Sequence, residues 1–386
     1  MASISTSSPP HVLIFPFMAQ GHTLPLLDLS RALASRGTGV TIITTPANAP
    51  FILSKSSTHT AISLSIIPFP KVEELPEGCE NVNHLPSPDL FVPFINAAKQ
   101  LKQPFEDLIH VACFDIPRIV FSGMGVLPSV LERIVSLHVP CISSLLHSEP
   151  INLPLVPFPL NKTDFPDFVW RGDDKHPILP IVSEIGQAEH NSWGYVVNSF
   201  EELEGDHVAA FENQKGTKAW LVGPLLLHDQ SEKDLINPGS KNVDQKQFSP
   251  YIKWLDQKME GAGPGTVIYV AFGSQSYMTD SQMEEIALGL EMAGLMIVQE
   301  RDANDDPMTV HHDVICDSVT ELMRGDRGKK ARERAQELGR KAKKAMEKGG
   351  SSGKKLDELI ECLTLRQKNS KTTRRSKRLR RTSFAS

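Results

Sequence analysis

The chain has 386 residues, of which 40% are hydrophobic and 23% charged, a composition typical of a globular protein long enough for two domains. Its net charge of −5 hides an uneven distribution, because nine Lys or Arg and no acid lie between Arg366 and Arg381. The remaining 32 basic residues face 46 acidic ones, and this balance of −14 argues against a nucleic-acid partner for the folded part.

The leader and the cysteines indicate a reduced compartment. Residues 1–10 are polar and lack the basic start of a secretory signal, and no apolar run approaches the length of a membrane span. The five cysteines are odd in number and none has a C-x-x-C spacing, so we expect reduced thiols. We therefore predict a cytoplasmic chain without a membrane span.

The first stretch of the chain has the pattern of a βαβ unit. The apolar residues Val12–Phe17 predict a buried strand, a leucine-rich amphipathic helix follows, and Val40–Thr44 predicts the next strand. In such units the working residues lie on the turn beyond the carboxyl end of the strand. That turn holds Gly21 and His22 here.

A gap in the expected order of elements follows. Ala61–Ile67 predicts a strand, Asp89–Leu108 a helix and Ile119–Phe121 another strand. An α/β layer would place a further strand and helix between the last two elements. We infer that a segment is missing near residues 110–114.

The remainder of the first half alternates helix and strand. Polar residues 228–250, which contain an Asn-Pro-Gly-Ser turn, predict the interdomain linker after it. The predicted elements are a helix at Val126–Leu137, a strand at Tyr195–Phe200, a helix at Glu201–Glu212 and a strand at Ala219–Leu226.

The second half has too few strands for its helices. Thr266–Phe272 predicts a buried strand, and the capping box of Thr279 and Gln282 predicts the start of a helix. One clear strand cannot cover the apolar stripes of several helices, so we infer that the middle of this half is missing. The other predicted helices lie at Tyr251–Lys258, Thr309–Arg324, Lys329–Lys348 and Ser352–Leu365.

Two turns carry candidate chemistry. His22 lies at a helix N-terminus, where the dipole disfavours the imidazolium, so the neutral ring can take a proton from a substrate hydroxyl. The alternative is a histidine that caps the helix or lines the loop. Gly273 and Ser274 stand between a predicted strand and a helix, where backbone N–H groups can bind phosphate, although an ordinary βα turn is the alternative.

Two further patterns favour structural explanations. Adjacent histidines on a helix point about 100° apart and make a poor chelate, so His311 and His312 predict a solvated helix start. The basic run Arg374–Arg381 predicts a disordered end of the chain, with a nuclear-localisation signal or a patch for anionic surfaces as the alternative.

Several motifs together resemble the plant UDP-glycosyltransferases. The resemblance implies an α/β GT-B fold with two Rossmann-like domains, the C-terminal one incomplete. It divides the chain into an acceptor-binding domain at 1–227, a linker at 228–250, a partial donor-binding domain at 251–365 and a basic tail at 366–386. The motifs are Phe15–Phe17, Gln20–Leu27, Asn198–Glu204, Val222–Leu225, Trp254–Asp256, Val270–Ser274 and the closing helices at Ala331–Ala345.

The resemblance also implies a reaction. A sugar, with glucose expected, passes from a UDP-sugar to a hydroxyl of a small lipophilic acceptor such as a flavonoid or another phenolic, with inversion and without a metal or an organic cofactor. His22 takes the role of catalytic base and lies with Gly21 at the acceptor, whereas Gly273 and Ser274 lie near the donor phosphates. The expected enzyme is a monomer.

The chain departs from the family pattern at both inferred gaps. The family's histidine is oriented by an Asp in the segment missing here; Asp115 lies in the lead-in to the next strand, so the role is not transferred to it. The family's uracil-stacking Trp should follow the helix that ends at Ala293, so the resemblance places the larger missing segment near residues 294–295. The alternative to a transferase is therefore a catalytically dead remnant or a non-catalytic binder, and a third hypothesis is a regulatory or nuclear role through the tail. The four tryptophans lie elsewhere, at Trp170, Trp193, Trp220 and Trp254.

Overall fold

The structure is a computed structural model of the chain. The chain divides into two compact units, Met1–Ser231 with Lys341–Ser386, and Glu232–Arg340, and each is considered by itself. The structure describes residues 9–56, 61–110, 116–131, 150–153, 156, 158–161, 164–165, 175–228, 245–262, 267–272, 278–294 and 310–382.

The first sheet of the larger unit has three parallel strands. They are β1 (His11–Ile14), β2 (Gly39–Thr44) and β3 (Ile62–Ile66), in that spatial order. The helices α1 (Gln20–Ala34) and α2 (Ala49–Ser56) connect them, which confirms the predicted βαβ unit. Strand β1 is shorter than predicted, and the Pro16 that follows it has no N–H to donate to a neighbouring strand.

One predicted helix is two helices in the structure. The sequence predicts a single helix over Asp89–Leu108, but α3 (Phe91–Lys99) ends before α4 (Lys102–His110) begins. Pro104 explains the break, because its ring has no N–H and excludes the carbonyl four residues earlier from a continuous helix. Pro104 instead lies in the first turn of α4, where a missing N–H costs little.

The second sheet also has three parallel strands, β4 (Ile119–Ser122), β5 (Gly194–Val197) and β6 (Lys218–Leu221). Helix α5 (Leu179–His190), which the sequence analysis did not predict, precedes β5. Helix α6 (Glu201–Lys215) follows β5 and ends at a left-handed Gly216.

The strand inferred to be missing from the sequence would belong between the two sheets. Among the described residues, β1 pairs only with β2, and β4 pairs only with β5. A doubly wound half has the strand order 3-2-1-4-5-6, so a strand that followed α4 would stand beside β1. Both sheets nevertheless contribute to one apolar core, which includes Ile14 and Trp220.

The last helix completes the core of the larger unit. Helix α11 (Ser351–Thr382) places Leu356 and Leu359, each 2% exposed, in the core that also contains Leu33 and Trp220. Two ion pairs flank this contact, Arg36 with Asp357 at 2.7 Å and Lys218 with Glu358. The helix continues to Thr382 through the basic run, where the sequence predicts disorder. Extending a helix that is already packed costs less free energy than nucleating a new one, which explains why the basic run is helical and not disordered.

The described part of the smaller unit is helical. Helices α7 (Gln245–Ala262), α8 (Asp280–Met292), α9 (His312–Arg324) and the start of α10 (Asp326–Met346) belong to it. Thr279 accepts a hydrogen bond from the backbone of Gln282, which confirms the predicted helix start.

The predicted buried strand at Thr266–Phe272 is wrong for the described residues 267–272, which form no strand. Tyr269 in this segment is 89% exposed. A central strand of a parallel sheet needs neighbouring strands and a helix on each face, and the part of this unit that the structure describes offers none of these strands. Across all the described ranges, no helix combines the length and apolar character that a membrane crossing requires.

Candidate functional site

The candidate site is the turn between β1 and α1. Helix α1 begins at Gln20, and its N-cap residue, Ala19, has no side chain that can accept a hydrogen bond. Asn83 supplies the missing acceptor, because its Oδ1 accepts a hydrogen bond from the Gln20 N–H at 2.9 Å. The Val82 N–H donates to the Met18 carbonyl at 2.9 Å, so two contacts hold the turn against the loop of Asn83.

His22 lies in the first turn of α1 with its side chain exposed. Its ring packs edge-on against Phe17, with the ring centroids 5.2 Å apart and the planes at 71°. Neighbouring protein atoms remove water from the charged form, and this desolvation lowers the pKa of His22 below its ordinary value. The ring is therefore neutral near pH 7 and can accept a proton.

The imidazole of His22 has no hydrogen-bond or ion-pair partner among the described residues. Phe17 restricts the ring by packing alone. Asp115, the carboxylate nearest to the inferred gap, lies outside the described residues. Within the described chain, no carboxylate therefore fixes the tautomer of the His22 ring.

Gly21 leaves open space beside His22. The residue is exposed, and a Cβ atom built on it would meet no heavy atom of the described residues within 4 Å. The predicted pair Gly21 and His22 therefore shares one accessible surface.

A network of asparagines supports the turn, and the sequence analysis missed it. The Asn83 N–H donates to Asn81 Oδ1 at 2.9 Å, and Asn81 Nδ2 donates to Asn48 Oδ1 at 2.7 Å. Asn48 Nδ2 donates to the Glu80 carbonyl at 2.8 Å, which ties the loop to the residue that precedes α2. The spacing Asn-Val-Asn is typical of an Asx turn and is the signal that could have revealed these residues.

The predicted donor-binding residues Gly273 and Ser274 lie outside the described residues, so their role stays a prediction. The described tryptophans have other surroundings. Trp193 and Trp220 pack together with ring centroids 5.4 Å apart, in the core of the larger unit. Trp254 is 49% exposed on α7. Trp170 is outside the described part of the chain.

The predicted helix start at His311 and His312 is confirmed, but the expected divergence of their rings is wrong. The sequence analysis placed both on a helix with diverging rings, but His311 is the N-cap of α9 and has an extended backbone. The ring centroids are 3.9 Å apart, and His312 Nδ1 lies 2.7 Å from Glu285 Oε2 on α8. Desolvation alone would raise the pKa of Glu285, but hydrogen bonds from the backbone and ring of His312 outweigh it and hold the pKa below its ordinary value.

Parallel sheets with crossover helices define an α/β protein, and comparison with solved structures gives its class as GT-B. The solved structure of UGT73P12 from Glycyrrhiza uralensis, complexed with glycyrrhetinic acid 3-O-monoglucuronide, matches 98% of this chain and all of that chain, with a TM-score of 0.81 and 23% identity. This match confirms the predicted fold.

Sequence comparison gives the family. The chain is 34% identical over 326 residues to the scopoletin glucosyltransferase of Nicotiana tabacum, covering 77% of this chain and 67% of that protein. The chain belongs to the plant UDP-glycosyltransferase family, as the motifs indicate. No protein-family model matches it.

The chain is shorter than its relatives. It spans between 61% and 64% of the length of three other curated relatives. The alignment with UDP-glycosyltransferase 90A2 of Arabidopsis thaliana, at 28% identity, covers 97% of that protein and 91% of this chain. That alignment extends over 463 residues, which exceeds the whole length of this chain, so parts of the relative have no counterpart here.

Proposed function

We propose that this chain transfers a sugar from a UDP-sugar to a hydroxyl of a small lipophilic acceptor, with His22 as the base. The observation that carries the proposal is the neutral, exposed imidazole of His22 on the turn after β1, beside the open surface of Gly21. Family membership supports the same chemistry, and the tobacco relative is named for glucosyl transfer to scopoletin.

The proposed step breaks two bonds and forms two. The neutral ring of His22 takes the proton of the acceptor hydroxyl as the acceptor oxygen bonds to the anomeric carbon from the face opposite UDP. The bond from the anomeric carbon to the UDP oxygen breaks, and its electron pair leaves with UDP. The sugar is transferred with inversion, and no metal or organic cofactor takes part in the proposed reaction.

The donor side of the proposal rests on Gly273 and Ser274, whose backbone N–H groups would bind the UDP phosphates. We infer glucose as the sugar and a flavonoid or another phenolic as the acceptor. The proposed enzyme is a cytoplasmic monomer, which light scattering and a fluorescent fusion would test. A reporter fused to residues 366–386 would test the third hypothesis; accumulation in the nucleus would support a nuclear role for the tail.

A second candidate function is non-catalytic binding of acceptor-like molecules by a catalytically dead remnant. The observation that favours it is the absence of a carboxylate partner for His22 among the described residues. Without such a partner, an imidazolium formed in the reaction lacks stabilisation. A UDP site that lacks a uracil-stacking ring and several charge-assisted contacts would also lose about 1–3 kcal/mol for each missing contact.

The test combines activity and binding. Purified chain is incubated with UDP-glucose, labelled in the sugar, and a panel of phenols, beside His22→Ala and the surface control His190→Ala. Product from the wild type and from His190→Ala, but not from His22→Ala, supports the transferase. Equal product from all three would contradict the role of His22. If no chain forms product, calorimetry with UDP and with the phenols decides whether the chain is a binder of acceptors alone.

A further inference from the structure

Glu285, His311 and His312 form a cluster in the smaller unit that the proposed transfer does not use. One ligand atom of each residue lies within 4.8 Å of the ligand atoms of the other two. A tetrahedral ion with ligand bonds of about 2.0–2.2 Å holds its ligand atoms roughly 3.3 Å apart. Small side-chain rotations therefore bring the three atoms to the spacing that such an ion requires.

The local fold explains why these side chains converge. His311 precedes the helix with φ −66° and ψ 145°, so the helical angle between neighbouring side chains does not separate the two rings. Helix α8 approaches α9 closely because Gly289 has no side chain. A Cβ atom there would lie 2.6 Å from the Cβ of Ile315 and 2.7 Å from the His312 carbonyl oxygen. Glu285 lies one turn before Gly289 and thus on the same face of α8.

We propose that Glu285, His311 and His312 bind a divalent transition metal ion, with Zn²⁺ as the ion that the ligand set favours. Two imidazoles and one carboxylate suit Zn²⁺, Co²⁺, Ni²⁺ and Cu²⁺, whereas Mg²⁺ and Ca²⁺ prefer oxygen ligands alone. This inference goes beyond the sugar transfer and does not depend on it.

Asp313 lies beside the two histidines but outside the group of three converging ligand atoms. Its Oδ2 lies 3.3 Å from His311 Nδ1, and its Oδ1 lies 3.9 Å from His312 Nε2. A water molecule would take the fourth position of a tetrahedral ion. Glu285 and His312 are partly buried and His311 is exposed, so an ion can enter from the side of His311.

The ion would join two helices that share little apolar core. No residue of α9 is buried, and the buried residues of α8 are Ser281, Gly289 and Leu290. Hydrogen bonds from His312 to Glu285 connect the helices in the described structure. Because a bound ion stabilises the folded state that holds its ligands together, metal binding should raise the stability of this unit.

The experiment uses the full chain without a polyhistidine tag, freed of metal with a chelator. Co²⁺ is added first, because its visible absorption reports coordination by nitrogen, and Zn²⁺ is then added to displace it. We expect one equivalent of Co²⁺, its displacement by Zn²⁺, and a higher melting temperature with Zn²⁺ but not with Mg²⁺.

Two variants locate the site without removing the hydrogen bonds that hold the fold. His311→Asn keeps an N-cap acceptor but loses the imidazole, and Glu285→Gln keeps a polar side chain but loses the charge. Loss of a residue that only contacts a metal ligand weakens metal binding by roughly 10–100-fold, so loss of a direct ligand in either variant should weaken Zn²⁺ binding by at least as much. The control His190→Ala, an exposed histidine at the end of α5, should bind as the wild type does.

Two results would overturn the proposal. If the wild type takes up neither Co²⁺ nor Zn²⁺ at stoichiometric concentrations, the cluster is only a hydrogen-bonded helix contact. If His311→Asn and Glu285→Gln bind Zn²⁺ as tightly as the wild type, the ion is held elsewhere. Circular dichroism of each variant separates a lost ligand from a lost fold.

Discussion

Replacing Leu356 by alanine tests whether the last helix is part of the core of the larger unit. Leu356 is 2% exposed and belongs to the cluster that also contains Ala32 and Leu33 of α1 and Trp220 of β6. Leu→Ala at a buried site costs about 2–5 kcal/mol, through lost transfer free energy and the cavity that remains. Because side chains from two other elements border the site, we expect about 3 kcal/mol, near the middle of that range.

The assay is denaturant and thermal unfolding, with Leu365→Ala as the matched control on the same helix. Leu365 is 59% exposed, so its replacement should change the free energy of unfolding by less than about 0.5 kcal/mol. In a unit of this size, Leu356→Ala should lower the melting temperature by roughly 6–12 °C. Equal melting temperatures for the two variants would show that α11 does not pack where the structure places it.

Three further predictions concern other contacts. NMR titration should give His22 a pKa below about 6.5, the value of an unfolded chain. Below that pH the unfolded state binds more protons than the folded state, so acidification destabilises the fold. His22→Gln should therefore reduce the loss of stability on acidification. Gly289→Ala should destabilise the chain by about 1–3 kcal/mol in the same melting assay, because the added methyl group clashes with α9. The control Gly186→Ala, where the added Cβ meets no described atom on α5, should stabilise the chain by up to about 1 kcal/mol. Equal effects of the two changes would contradict the close packing of α8 and α9. The hydrogen bond from Lys218 holds the pKa of Glu358 below its ordinary value, so the stability from this pair is present above that ordinary pKa and is lost as the pH falls through the pKa of the folded state. A double-mutant cycle should give a coupling free energy of about 0.2–1 kcal/mol that added salt weakens. A coupling that does not depend on salt would refute a surface ion pair.

Most of the alternation of strand and helix in the larger unit, with α5 as the exception, could be predicted from the sequence because the predicted elements have clear apolar patterns. Val40–Thr44 and the leucine-rich helix before it agree with β2 and α1 to within a few residues. The strand predicted at Thr266–Phe272 has an equally apolar pattern, yet residues 267–272 form no strand. Apolar β-branched residues show only that a segment can enter a sheet, and the sheet has to exist for the strand to form.

The candidate site could be predicted only in part. His22 follows from its place after β1, since the topology of a βαβ unit fixes which turn is accessible. Asn83, which caps α1, lies more than sixty positions along the chain, and only the folded loop brings it to Gln20. The rings of His311 and His312 were misjudged because the helix begins at His312, three residues after the predicted Thr309, and this changes the direction of the His311 side chain. Local sequence predicts the periodicity of a helix far better than it predicts where the helix begins and ends.

The placement of α11 also sets when the larger unit can fold. Its core combines β1 and α1, near the start of the chain, with Leu356 and Leu359, more than three hundred residues later. During synthesis, Leu33 and Trp220 therefore stay partly uncovered until the final helix has left the ribosome. Such contacts give a high contact order and slow folding, and the uncovered apolar surface favours aggregation in the meantime. Ribosome-bound chains that stop before residue 350 should accordingly bind holdase chaperones more strongly than the complete chain.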